Sequence, residues 1–208
     1  MLSSHTRAFT LSETLAVITI VASLAALLFP VFASAKESAR GTSCITNLYQ
    51  IGVATSLYMN DWDDRYPVVV NALERRSPDV WMGRNRADDP AKFETPVDCL
   101  GRYAKDQRIF VCPLDYGAAI GYHFRAYPHL YPLNGGTSYL FSELFDGQTP
   151  GTWRNPSNAI WACDGSQAWH TPNYNDDLML PTNRINAVFF DFHAASIRNR
   201  NAPTFLEG

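Results

Sequence analysis

Hydrophobic and polar positions divide this chain sharply near its thirty-sixth residue. Thr14 to Ala35 contains no charged side chain, whereas charge is frequent from Lys36 onward. Leu15–Ala35 (LAVITIVASLAALLFPVFASA) is apolar in every direction around a helix, and at about 1.5 Å rise per residue its roughly 21 residues match the ~30 Å hydrocarbon layer of a bilayer. The pattern predicts a membrane-crossing helix. Beyond Lys36 the pattern changes: Cys44, Leu48, Ile51, Thr55 and Tyr58 recur at helical spacing on one face, while Thr46, Asn47, Gln50 and Asn60 fall largely elsewhere. The helix is therefore expected to continue as an amphipathic rod from about Thr10 to Met59, roughly 75 Å long, and to end in the Asp61–Pro67 run.

From residue 61 to 208 the alternation shortens. Arg108–Cys112, Thr137–Phe141, Ala159–Cys163, Ile185–Phe190 and Ala194–Arg198 are rich in β-branched and aromatic residues and predict strands. Pro96–Lys105 predicts one further short helix, and Asn134-Gly135-Gly136 a turn. The fold class expected is α+β: a long N-terminal helix, half in the membrane and half amphipathic, laid on an antiparallel sheet.

Apolar residues make up 46% and aromatics 13% of the chain, enough for a packed core. Of 17 basic and 20 acidic residues all but Arg7 and Glu13 lie from Lys36 onward, so that portion is mildly acidic and carries no basic stripe. Nucleic acid is not an expected partner. Four cysteines, Cys44, Cys99, Cys112 and Cys163, lack any C-x-x-C spacing, which argues against a zinc ribbon or a thioredoxin-like site. In an exported domain they fit one or two disulfides in any of three pairings; buried free thiols are the plain alternative.

The segment Arg7-Ala8-Phe9-Thr10-Leu11-Ser12-Glu13 resembles the signature cut by prepilin peptidase: a basic leader ending in a small residue, then Phe, then Thr-Leu-x-Glu. Pro30, the stretch Ala33–Arg40, the segment Thr42–Gly52 and Tyr58–Asp61 extend the likeness to type IV pilins and type II secretion pseudopilins. Val111–Asp115 and Ala187–His193 are similar to that group's Cys-Pro-x-Asp and Asp-Gly-His elements. Three positions depart from the pattern: Ala8 stands where Gly is usual, Ser12 where an apolar residue is, and Phe192 where the element has glycine, so the turn there is expected to differ.

The resemblance implies a pilin-like fold in four parts: a leader (1–8), a transmembrane and filament-core helix (9–35), an amphipathic continuation (36–60) and a β-rich head (61–208). It implies cleavage between Ala8 and Phe9, methylation of the new Phe9 amine, and assembly through Phe9, Glu13 and Pro30. Glu13 of one copy would neutralise the Phe9 amine of the next and set the stagger, since an unpaired charge in an apolar core costs several kcal/mol. Pro30, which removes a hydrogen bond to the Ala26 carbonyl, would supply a flexible point. The expected partners are further copies or related pilins, prepilin peptidase, an inner-membrane assembly platform, and membrane lipid before assembly. The expected location is the cytoplasmic membrane with the head outside, since Arg7 holds the leader inside, followed by an extracellular or periplasmic filament.

No catalytic fingerprint occurs, neither Gly-x-Ser-x-Gly, a Walker loop, His-Glu-x-x-His nor a dinucleotide-binding glycine run, and no enzyme activity or cofactor is expected. Asp61, Asp63 and Asp64, or Asp176 and Asp177, are candidates for calcium but lack EF-hand spacing, and solvated loop acids explain them better. Asp191 and His193 fit a catalytic or metal pair less well than turn hydrogen bonding. Trp153, Trp161 and Trp169 fit core packing better than a ligand platform. The competing reading is a membrane-anchored extracytoplasmic enzyme or ligand-binding module, which would need neither Glu13 nor the Ala8–Phe9 junction.

Overall fold

The computed structural model describes residues 10–71, 92–115, 135–142, 146–152, 154–165 and 184–198. Helix α1 spans Leu11–Asp61 and contains Pro30 without a break in its assignment. The chain divides into two compact units, Met1–Ala39 and Arg40–Gly208.

In the first unit, α1 starts on a capping box. The Glu13 backbone N–H donates to Thr10 Oγ1 (3.3 Å) and the Thr10 N–H donates to Glu13 Oε2 (2.9 Å). The hydroxyls inside the apolar stretch are satisfied by the helix itself: Thr19 donates to the Leu15 carbonyl and Ser23 to the Thr19 carbonyl, each at 2.8 Å. Turning these two hydroxyls onto the helix's own carbonyls lowers the cost of placing them in hydrocarbon. It is the one helix among the described residues long and apolar enough to cross a membrane, a property shared by anchors and by signal sequences.

In the second unit, α1 buries Cys44, Leu48, Ile51, Gly52, Ala54, Thr55 and Met59, with Tyr58 half-buried beside them. The predicted stripe is the buried face. The helix stops where expected: the Asp64 N–H donates back to the Met59 carbonyl (3.0 Å), and Asp63 and Asp64 take left-handed φ values of 51° and 55°.

Four strands form an antiparallel sheet in chain order: β1 Tyr139–Phe141, β2 Ile160–Asp164, β3 Arg184–Phe189 and β4 Ala194–Arg198. Period-two alternation puts Tyr139, Phe141 and Val188 into the main core with α1, and Ile185, Ala187 and Phe189 into a second cluster. A register shift between Ile160 and Ala162 lets consecutive Trp161 and Ala162 both enter the main core. The Asn71 side chain bonds both the N–H (3.0 Å) and the carbonyl (2.9 Å) of Phe141, occupying backbone groups at the edge of β1.

Two sequence expectations need correction. Arg108–Cys112 is not a strand; Gln107–Phe110 is a 3₁₀ turn, started by the Asp106 carboxylate accepting from the Arg108 N–H (2.9 Å). That local side-chain bond diverts the backbone from a ladder, and Pro113 could not have donated to one. The helix expected over Pro96–Lys105 is only Pro96–Leu100 (α2), opened by a Thr95–Asp98 capping box and followed by turns. Of the predicted turn, Gly135 and Gly136 adopt positive φ (65° and 90°), while Asn134 lies outside the described residues.

Gly52 marks the closest approach of helix and sheet. A β-carbon there would lie 3.0 Å from Val188 Cγ2 and 3.3 Å from Phe192 Cβ. Although leucine is the better helix former by about 1 kcal/mol, Gly52→Leu is expected to lower head stability by about 1–3 kcal/mol through overpacking. Thermal unfolding of the full chain in detergent measures this; an unchanged or raised midpoint would show that the contact is not tight.

Candidate functional site

Of the residues expected to act in assembly, Glu13 lies in the first turn of α1 and Pro30 inside the helix. Ala8 and Phe9 lie outside the described residues. Glu13 is exposed, and its Oε2 accepts from both the N–H (2.9 Å) and the hydroxyl (2.8 Å) of Thr10. The carboxylate is thus held at the positive end of the helix dipole, where a negative charge is favoured. Thr10 was not anticipated as its partner, although the Thr-x-x-Glu spacing ahead of an apolar run is itself a capping signal. On both sides of Glu13 the large apolar side chains are uncovered: Leu11 is 90% exposed, Leu27 72% and Phe29 73%, with Leu15, Ile18, Val21 and Phe32 also open.

The cysteines separate into one bonded pair and two thiols. Cys44 and Cys112 form a disulfide across a sequence separation of 68. It ties the first buried residue of α1 to the loop after the 3₁₀ turn, and two hydrogen bonds flank it: Asn47 Nδ2 to the Val111 carbonyl (3.0 Å) and Tyr139 OH to the Cys44 carbonyl (3.4 Å). Cys99 and Cys163 are free and buried in different clusters. Burial pushes each of these thiols up to about 12. Of the remaining Cys-Pro-x-Asp element, Asp115 is buried and accepts from Ser138 Oγ (2.8 Å), which makes it a structural acceptor.

The Asp191–His193 pair sits in the β3–β4 turn. Asp191 Oδ1 accepts from the His193 backbone N–H (3.2 Å) and lies 2.5 Å from His193 Nδ1. The imidazole stacks on Phe189, centroids 4.2 Å apart. Partial burial disfavours the Asp191 charge, but hydrogen bonds from Ser157 and His193 outweigh it and hold the carboxyl below its ordinary range. Phe192, between them, adopts φ 68°, so phenylalanine occupies the left-handed conformation that glycine would have filled at lower cost. The penalty of about 1–2 kcal/mol is offset by packing against the main core, where its ring lies 6.2 Å from that of Tyr66.

This turn and the exposed side of α1 border a groove of about 420 Å³ lined by Tyr49, Val53, Ser56, Leu57, Asp191, Phe192 and His193. The amphipathic pattern pointed to the buried stripe of α1 and passed over this opposite, apolar one. Asp61 accepts from Tyr103 OH (3.0 Å), and among the described residues no three His, Cys, Asp or Glu side chains cluster as a metal site. Asp176, Asp177, Trp153 and Trp169 lie outside the described residues, and Trp161 is fully buried in the core rather than on a platform. Comparison of the chain with protein-family models, with curated proteins and with solved structures found no match.

Proposed function

We propose that this chain is a structural subunit of a filament of the type IV pilus or type II secretion pseudopilus kind. In this reading prepilin peptidase cuts between Ala8 and Phe9, the Phe9 amine is methylated, and the helix waits in the cytoplasmic membrane with the head outside. An assembly platform then moves it into a filament of like subunits. The supporting observation is the state of α1: one helix whose first unit leaves its apolar side chains open on all sides behind Glu13, and whose continuation is one-sidedly buried in a head. Apolar side chains of this kind are equally accommodated by lipid tails and by copies of themselves, so transfer from membrane to filament is nearly balanced in hydrophobic terms. No catalytic role is proposed.

The competing reading, a membrane-anchored enzyme or binding module, draws on the Thr10–Glu13 capping box, which employs the carboxylate without any neighbour. Glu13→Gln separates the two. Glutamine serves in a capping box but cannot neutralise an amine. The filament reading expects correctly cleaved, membrane-inserted Glu13→Gln and Glu13→Ala proteins with filaments reduced by about tenfold or more. Filament counts by electron microscopy decide it, and wild-type counts for Glu13→Gln would remove the charge-pairing role. Mass spectrometry of the mature N terminus is the companion test: an intact Met1 favours the anchor.

A further inference from the structure

Thr10 stands where α1 begins, and each of its polar groups is engaged. Its N–H (2.9 Å) and hydroxyl (2.8 Å) donate to Glu13 Oε2, and its Oγ1 accepts from the Glu13 N–H (3.3 Å). Its carbonyl accepts from the N–H and the hydroxyl of Thr14, each at 3.2 Å. These bonds make Thr10 an N-cap, the residue whose carbonyl opens the helical ladder while its own backbone stays outside it. The helix accordingly starts at Leu11. The bond expected to be cut, Ala8–Phe9, comes immediately before the cap in the sequence.

The composition of the leader does not itself oppose a longer helix. Met1–Phe9 contains neither proline nor glycine, the residues least compatible with a helix interior. The nearest capping side chain upstream is Thr6. A helix started there would take Arg7, Ala8 and Phe9 as its first turn, and the carbonyl of Ala8 would accept from the Ser12 N–H. The carbonyl to be attacked would then be tied into the ladder, whereas proteolysis favours exposed chain outside regular structure.

Resting on the cleavage reading above, we infer that Thr10 is a positioning residue for processing: its cap holds the start of α1 at Leu11 and so leaves the Ala8–Phe9 bond outside the helix, open to the peptidase. The hydroxyl acts through the backbone rather than by touching the peptidase. The Glu13 side chain is dispensable for this stop, because the bond that Thr10 Oγ1 accepts comes from the backbone N–H of residue 13. That is why Glu13→Gln and Glu13→Ala are expected to be cut normally and yet to assemble poorly. The two ends of one capping box serve different steps, Thr10 the cut and the Glu13 charge the assembly.

The experiment presents the full-length chain in detergent to prepilin peptidase and follows loss of the leader by mass spectrometry. Wild type is compared with Thr10→Val, Thr10→Ala, Thr10→Ser and Thr10→Asn. Valine keeps the shape of threonine without the acceptor; asparagine has a different shape and caps at least as well. Initial rates should follow capping and not shape. Ser and Asn variants are expected within about twofold of wild type, and Val and Ala variants about fivefold slower, the factor implied by loss of an ordinary N-cap. The unfolding midpoint of the head should not change, since Thr10 belongs to the other unit. Wild-type rates for Thr10→Val and Thr10→Ala would overturn the inference. So would a Thr10→Asn chain as slow as Thr10→Val, which would mean that the peptidase reads the threonine side chain itself. Both results leave the filament reading standing. A wild-type chain that keeps Met1 in the presence of a peptidase active on another prepilin would instead overturn both.

Discussion

Replacing Trp161 by alanine is expected to destabilise the head by about 3–5 kcal/mol, the range for excising a large buried aromatic. Trp161 has no exposed surface. Its ring centroid lies 5.6 Å from those of Tyr66, Phe141 and Phe190, so three elements of the core lean on it. Its indole N–H donates to Thr55 Oγ1 (3.0 Å), and that hydroxyl donates to the Ile51 carbonyl (2.9 Å), a relay linking β2 to the helix backbone. Alanine leaves a cavity and removes the donor together. Trp161→Phe retains most of the volume and loses only the relay, so about 1–2 kcal/mol is expected for it. Against a total of about 5–15 kcal/mol for an ordinary domain, the alanine change takes a large share, and at roughly 2–4 °C per kcal/mol the midpoint should fall by about 6–20 °C. Thermal unfolding of the detergent-solubilised chain reads this directly. A shift within a few degrees of zero would mean that the core is not organised around this indole.

Why Trp161 could be assigned to packing from sequence, and much else could not, follows from the range of the interactions. The limits of α1 were readable because two periodic signals, all-round apolar and then one-sided, persist over many turns, and because the Asp61–Pro67 run disfavours helix. Four strand positions were readable to within a few residues because β-branched and aromatic residues concentrate there. Single side-chain bonds mislead that kind of reading. Asp106 caps a 3₁₀ turn inside a stretch whose composition suggests a strand; α2, by contrast, ends at Leu100 where Gly101 caps it. The bulge at Trp161, the Asn71 clasp on β1 and the pairing of Cys44 with Cys112 depend on distances between remote positions, and no local pattern carries them. At the candidate site, Glu13 stood out as an acid at the edge of the long apolar run. Its bond to Thr10 was equally legible as a capping box, and recognising it sharpens the test: charge and hydrogen bonding at Glu13 are separate properties, and glutamine removes only the first.

The same helix therefore faces three environments in succession, and each is written in a different feature. Hydroxyls turned onto the helix's own carbonyls suit Thr19 and Ser23 to hydrocarbon. A stripe from Cys44 to Met59 suits the second unit's core. Tyr49, Val53 and Leu57 stand outside that core on the exposed side of the helix. The second environment opens on a covalent bond, placed at the first buried residue of the helix.

Breaking that bond is expected to cost the head about 2–4 kcal/mol. Chain-entropy reasoning for a loop closed across 68 residues gives about 4 kcal/mol, and removal of native disulfides commonly costs about 2–5 kcal/mol. The loss should be uneven along α1. Cys44 and Cys112 are covered, and the neighbouring bonds from Asn47 to Val111 and from Tyr139 to Cys44 rely on the same junction. In Cys44→Ser, hydrogen exchange should therefore quicken first around residues 44–48 and later around 51–59, whose cover comes from Trp161, Val188 and the rest of the main core. Cys99 and Cys163 supply the internal control, because burial pushes both thiols up to about 12 and denies them thiolate near pH 8. Alkylation at pH 8 should mark neither in the folded chain, two sites after denaturation without reductant, and all four once reductant is added. Four sites marked without reductant would mean that the Cys44–Cys112 bond does not form. The proposed placement of the head outside the membrane would put this bond in an oxidising compartment. Expression that keeps the chain in a reducing cytoplasm should then yield the destabilised, unevenly exchanging form, and equal stability from both compartments would count against that placement.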